Sequence, residues 1–498
     1  MSPFLKLLIC FLASVFFASD LQGQSGISKR QLKKAFKEFV NDTLLKHAQI
    51  SFQLTDLNTN KKLLSFNEHK ALIPASILKL VPTVLLLDTL GPEFQYNTAI
   101  SMIGKEKANG IFDGYLQING CGDPSLASPY LQEAVQLDSI ANLLAGILYK
   151  RGIHTITRGI QIDQSYIMDE PENPEWLYYD LGNYYGGGCH ALNFYENEIS
   201  IRLASAKSEG GLCPIIKELP DIGNRHFISE VKGNFNPPET EVYVLGSTLS
   251  PRKMIKGNWK CCVNDSLTIR AAMHEPETYL KTMLVQKLAE RGIQVLNELN
   301  SQETNTIHVR DSLEVLCKIK SPYLHKLVQR ALHKSVNLYC ESFLHELGRV
   351  WLKGTNRDSI LRAIDHRLKS DIFQNPAFEI EDGSGLSPKN FISASNMIQF
   401  LVEYKHYKTD EPFWKLIPDI HQTGVLRKHL SPKRDVKTGL YLKSGSMERV
   451  RSYAGYLVHD QKIIAAICII INNYPGKSDV LQKHIAGFLD KVMLTKFN

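Results

Sequence analysis

The 498-residue chain has no CxxC pair and no Cys/His grouping at metal-ligand spacing, so neither a metal centre nor a cofactor is expected. It has no basic run interleaved with aromatics; its net charge of +7 is spread along the whole length. That distribution reads as a solvated surface compatible with an anionic cell-envelope partner, and it argues against nucleic acid as a ligand. Internal repeats and low-complexity tracts are missing as well, leaving an ordinary globular composition, 43% apolar and 22% charged. Long apolar runs are scarce: Ile463–Ile471 is strand-length, and only Leu7–Ala18, preceded by the lone charge of Lys6, stands out. That run is short for a bilayer span and gives way to polar residues from Ser19 on. It reads as a secretory signal peptide over residues 1–24, cleaved between Ala18 and Gln24, and no transmembrane anchor is expected in the mature chain.

Of nine cysteines, Cys10 lies in the leader, leaving eight. A secreted destination permits disulfides. Cys261 and Cys262 are adjacent and cannot readily bond each other, whereas Cys189 and Cys213 are a candidate pair; spacing alone leaves the connectivity open, including no disulfide at all.

The length implies two or three domains. Residues 28–48 have helical periodicity with a basic face. The segment ISFQLTDLNTNKKLLSFNEH alternates around a turn and predicts a β-hairpin. In ALIPASILKLVPTVLLLDTLG, Pro74 and Ser76 suit a helix start and Gly91 a stop. From about 95 to 315 the texture changes to short alternating segments rich in Gly, Pro and Asn, with one clear helix-then-strand unit, HEPETYLKTMLVQKLAERGIQV. Helical texture returns at 321, and two strands (YAGYLV, KIIAAICIII) and a terminal helix close the chain. This order predicts one α/β domain interrupted by β-rich material.

Three short patterns carry candidate chemistry, and each occurs more than once. Ser-x-x-Lys is expected by chance about twice in such a chain. Ser250–Lys253 contains Pro and Arg and reads as a surface loop. Ser76–Lys79 sits at a predicted helix start, where i and i+3 side chains share a face and the helix N-terminus favours developing negative charge. Ser-x-Asn occurs as Ser65–Asn67 in the hairpin and as Ser335–Asn337 in a helix-rich stretch. Lys-(Ser/Thr)-Gly occurs as Lys437–Gly439 and Lys443–Gly445. One match to each pattern gives the order Ser-x-x-Lys, Ser-x-Asn, Lys-(Ser/Thr)-Gly.

That set resembles the penicillin-recognising serine enzymes. The long gap between Lys79 and Ser335 is similar to that of the D-alanyl-D-alanine carboxypeptidase/endopeptidase family, the low-molecular-mass class C penicillin-binding proteins, which carry two extra domains there. PASILKLVPT, GYLQINGCGDPSL, ALNFYENEISI, EDGSGLSPKNFIS and LKSGSMERVRSYAGYL extend the resemblance over most of the mature chain. It implies an α+β transpeptidase-like domain, with helices on an antiparallel sheet, over 25–94 and 315–498. The inserted domains would be 95–166 with 262–314, and 167–261. The family's Ala-Gly-aromatic step lies twelve residues past the site lysine, which selects Lys443 (to Gly455) and leaves Lys437, eighteen away, as a turn residue.

By the same resemblance Ser76 is the nucleophile and Lys79 its base, made less basic by nearby cations such as Lys443. Ser335 relays a proton to the leaving amine, and Asn337 orients Lys79 and the substrate amide. Lys443, Ser444, Gly445 and Ser446 bind the substrate's end. The backbone N–H groups of Ser76 and Ser446 form the oxyanion hole, and Asp163 meets an amino group of the stem peptide. Departures from the family pattern are Val336 for Asp, Ser444 for Thr, and Pro388 where Arg is frequent. The implied substrates are peptidoglycan stem peptides, with β-lactams as covalent inhibitors and the periplasm as the location. A serine β-lactamase or esterase and a catalytically weak envelope-binding protein are the alternatives. The first is disfavoured because no Glu-x-x-Leu-Asn follows the nucleophile.

Overall fold

The structure, a computed structural model, describes residues 26–223, 226–234, 240–250, 252–261, 264–296, 312–406, 412–432 and 437–497. The leader expected at 1–24, Cys10 and Cys262 lie outside the described residues.

The strand Lys462–Asn472 shows how the apolar pattern builds the outer domain. Successive side chains on a strand point to opposite faces. Ile467, Ile469 and Ile471 join one core with Phe36, Phe52 and Phe488, while Ala466, Cys468 and Ile470 join another with Leu80, Val81 and Phe343. A strand buried on both faces lies inside its sheet. Here the order is Lys61–Phe66, Gln49–Asp56, Lys462–Asn472, Val450–His459, Thr438–Met447. All four neighbouring pairs are antiparallel.

The helices Lys29–Val40 and Ser478–Met493 cover the first face. The former starts at a Ser28/Gln31 capping box and ends before 48, where periodicity alone extends it. Asn41 and Asp42 end it, because the Asn41 amide bonds the Lys37 carbonyl and the Asp42 carboxylate takes the Leu44 N–H. Short polar side chains offer the backbone such alternatives to helix. On the other face lies the helix Leu80–Leu90, buried all round from Leu80 to Leu87 and ended at Gly91 (φ 79°). It does not begin at Ser76: Ala75–Lys79 forms a separate 3-10 turn before it. Among the described residues no helix is long and apolar enough to cross a membrane.

Between residues 97 and 320 three more sheets form. One is built on Asn97–Lys107 and Ile111–Asn119, with Ser312–Lys320 along its edge. The helix-then-strand unit is present as Pro276–Ala289, with proline at its first turn, and Gln294–Val295, parallel to Thr155–Ile156. The other two sheets are Ile215–Leu219/Glu198–Ala204/Ser266–Ala272 and a five-stranded one around Lys253–Lys260. Ser312–Lys320 pairs with Asn97–Lys107 and runs across residues 314/315, and Ser266–Ala272 pairs along its length with Glu198–Ala204. Strand membership is set by the pairing partner, which local texture does not encode.

Cys189 and Cys213 are free thiols in different cores, and the seven described cysteines are all unbridged.

Candidate active site

The Ala75–Lys79 turn buries Ala75, Ile77, Leu78 and Lys79 and leaves Ser76 half-exposed. Its i, i+3 spacing brings the Lys79 ammonium 2.9 Å from the Ser76 hydroxyl. Lys79 Nζ also donates to Asn337 Oδ1 at 2.7 Å and to the Ser384 carbonyl at 2.6 Å, which fixes its position from three sides.

Ser335 and Asn337 do not sit on a helix surface. Ser335 caps the helix Leu324–Lys334 in the left-handed region (φ 57°), and Asn337 opens the helix Asn337–Leu352. The break between the two helices turns both polar side chains toward Lys79 and Lys443. The Asn337 amide is oriented by donating to the Tyr185 carbonyl at 2.9 Å. Lys443 Nζ donates to Ser335 Oγ at 2.9 Å and to the Ser444 carbonyl at 2.7 Å.

The Thr438–Met447 strand passes very close to Ser76. A Cβ on Gly445 would lie 2.6 Å from the Pro74 carbonyl and 2.9 Å from the Ser76 nitrogen, so only glycine fits. Lys443 pairs directly with Ala454, and Gly455 is the next residue of YAGY. Lys437 is an exposed turn residue ahead of the strand. Ser446 is exposed and accepts a hydrogen bond from Arg451 on the neighbouring strand. Ser444 lines a narrow groove with Ser335, Lys443 and Tyr453. A cavity of about 280 Å³ opens on the other side of Ser335 and Asn337, walled by Tyr184, Tyr185, Arg270 and Arg330.

Lys79 and Lys443 are both fully buried and both less basic than usual. Burial, which disfavours the charged form, is the largest cause for each. The expected cause at Lys79, nearby cations, is not the one found: its acidic neighbours Cys340, Asp382 and Glu341 act in the opposite direction. Lys443 is lowered further by Lys79 itself.

Several participants escaped the sequence reading. Asp382 opens the DGSGLS stretch and organises it, accepting from the Gly385 and Ser387 N–H groups (both 2.6 Å), the Asn390 amide (3.0 Å) and the Trp176 indole (2.8 Å). That loop presents the Ser384 carbonyl to Lys79. DGSGLS was visible as a motif, but a backbone carbonyl has no residue-type signal. Arg451, Tyr185 and Glu341 had no spacing to reveal them. Asp163 ends the strand Ile160–Asp163, and its carboxylate accepts from the Asn119 amide (3.2 Å) and the Ser165 N–H (2.9 Å), not from any residue of the Ser76 cluster. The other Ser-x-x-Lys match is not a pair: Ser250 donates to the Arg252 carbonyl, and Lys253 is buried at the start of a strand rather than on a surface loop.

The D-Ala-D-Ala carboxypeptidase 3 (S13) family matches residues 32–492. The chain is 23% identical over 470 residues to the penicillin-sensitive carboxypeptidase A of Dictyostelium discoideum, covering 87% of this chain and 84% of the relative. It is 24% identical over 453 residues to the D-alanyl-D-alanine carboxypeptidase DacB of Haemophilus influenzae, covering 86% of each. The crystal structure of penicillin binding protein 4 (dacB) from Haemophilus influenzae superposes with a TM-score of 0.72 at 20% identity, over 94% of this chain and 99% of that one. The fold is that of penicillin binding protein 4, and the chain belongs to the D-Ala-D-Ala carboxypeptidase 3 (S13) family.

Proposed function

We propose that this serine-type D-alanyl-D-alanine carboxypeptidase, a penicillin-binding peptidoglycan hydrolase, works through an acyl-enzyme on Ser76, trimming stem peptides and cleaving cross-links in the periplasm. The observation that carries the residue assignment is the hydrogen bond between Lys79 and Ser76 inside a cluster that also holds Asn337, Ser335 and Lys443.

Ser76 Oγ attacks the carbonyl carbon of the penultimate D-Ala while its proton passes to neutral Lys79, which burial makes available as a base. The negative charge on the tetrahedral oxygen is taken by the N–H groups of Ser76 and Ser446, donors already fixed in place. The tetrahedral adduct collapses as the C–N bond breaks: the leaving amine takes the Ser335 hydroxyl proton, Lys443 replaces it, and the proton that Lys79 took from Ser76 restores Lys443 and leaves Lys79 neutral again. Water then attacks the ester carbonyl as neutral Lys79 takes its proton, the Ser76–acyl bond breaks, and Lys79 returns that proton to Ser76 Oγ as the shortened peptide acid leaves. Lys443, Ser444 and Ser446, with Arg451 beside Ser446, form the seat for the substrate's terminal carboxylate. Gly445 permits the close approach that aligns these parts. Asp163 remains proposed as the contact for a stem-peptide amino group.

The test is release of D-Ala from a stem pentapeptide and of monomer from a cross-linked dimer, with wild type and Ser76→Ala. Release by wild type alone supports the reading; equal release by both overturns it.

A further inference from the structure

The helix Asn337–Leu352 carries a second acidic group toward the site, Glu341, which is buried at 2% exposure. Its Oε2 accepts the Gly383 N–H at 3.3 Å. Its Oε1 and the buried Ser384 hydroxyl are both without a partner at hydrogen-bond geometry, although the hydroxyl is near enough to favour the ionised carboxylate. Gly383 has no room for a side chain: a Cβ would meet the Cys340 carbonyl at 2.4 Å, and one on Gly385 would meet the Ala75 carbonyl at 2.2 Å. The Gly383–Ser384 segment is therefore clamped between the Glu341 helix and the nucleophile turn. On one side it receives Glu341, and on the other its Ser384 carbonyl holds Lys79 at 2.6 Å.

We propose that Glu341 is a positioning residue for Lys79: its carboxylate aligns the Gly383–Ser384 segment that holds the base, and its charge faces the base across that segment. The inference rests on the Ser76–Lys79 mechanism above.

The surroundings fit a charge that matters. Asp382 repels Glu341 from the same loop, Arg357 attracts it from the next helix, and Lys79 faces it across the segment. Cys189 and Cys340 are the remaining titratable neighbours, and burial together with Glu341 holds both thiols neutral. Asp382 is satisfied by four donors, whereas Glu341 has one hydrogen bond and an open oxygen. Burial and Asp382 push the Glu341 carboxyl up to about 7, so its charge changes within the working range of a neutral enzyme.

The experiment compares Ser76 acylation by a fluorescent penicillin across pH for wild type, Glu341→Gln and Ser384→Ala. The acid limb of the rate profile reports loss of the proton from Lys79. Removing the Glu341 charge removes an influence that raises Lys79, so the limb of Glu341→Gln moves to lower pH. Ser384→Ala removes a group that favours the Glu341 anion and moves the limb the same way by less. A purely structural role would scale the rates and leave the limb in place. Limbs that superimpose on wild type, or move to higher pH, overturn the proposal. If Glu341→Gln does not fold, Ser384→Ala decides alone. Absence of acylation in wild type would count against the mechanism itself, whereas acylation with unmoved limbs counts against this inference only.

Discussion

Lys443 and Ser335 meet at 2.9 Å although 108 residues separate them in the chain. The contact ties the edge strand of the sheet to the break between two helices, and it distinguishes the two Lys-(Ser/Thr)-Gly triads physically. Lys437 lies in an exposed turn ahead of that strand. Lys443→Ala is expected to slow acylation about 100-fold or more, the scale for removing a positioned catalytic group. Lys437→Ala should stay within about twofold of wild type. Stopped-flow or gel-based penicillin labelling checks both.

Gly445 offers a steric test. Gly445→Ala places a methyl 2.2 Å from the Ser452 hydroxyl and against the backbone of Pro74 and Ser76. Acylation should be nearly lost, because those backbone atoms cannot yield without moving the nucleophile. Gly487→Ala, at an exposed position in the last helix with nothing within 4 Å, should instead stabilise the fold by about 0.5–1 kcal/mol. Thermal melts and labelling rates on the two variants separate the effects.

The pH dependence follows from burial. Lys79 acts as base only when neutral, and burial lowers its affinity for a proton below the ordinary value of 10.5. Wild-type acylation should therefore rise with pH through a limb below that value and level off above it. A limb at the pH of an exposed lysine would contradict the assignment of Lys79 as the base. The rate of label incorporation across a buffer series supplies the measurement.

Arg451 sits beside Ser446 at the exposed end of the strand pair. Arg451→Gln should raise KM for a D-Ala-D-Ala peptide by about 10- to 100-fold, the range for a lost charge-assisted hydrogen bond, and change kcat much less. A fall in kcat at constant KM would move Arg451 out of the carboxylate seat.

How much of this was legible beforehand varied with the physics behind each feature. The continuous apolar run KIIAAICIII and the alternating hairpin segment at 50–69 express burial directly, and the structure has both. The Ser76, Ser335 and Lys443 motifs were found by their order and by the spacing to Gly455. What the sequence hid was local geometry overruling local texture. KSVNLYCESF reads as continuous helix, yet Ser335 is left-handed and the helix restarts at Asn337. Ser76 reads as an α-helical start but lies in a 3-10 turn. The family resemblance ascribes the lowered basicity of Lys79 to cations, whereas its depth in the fold is the larger cause. Ser384 contributes through its carbonyl, which every residue possesses.

The central claim is that Ser76 is the acylated nucleophile. Intact-mass measurement after benzylpenicillin treatment, followed by peptide mapping, tests it most directly. One adduct per chain on the peptide containing Ser76, persisting through the digest and absent from Ser76→Ala, is the predicted result. An adduct retained by Ser76→Ala, or no stable adduct on wild type, would contradict it.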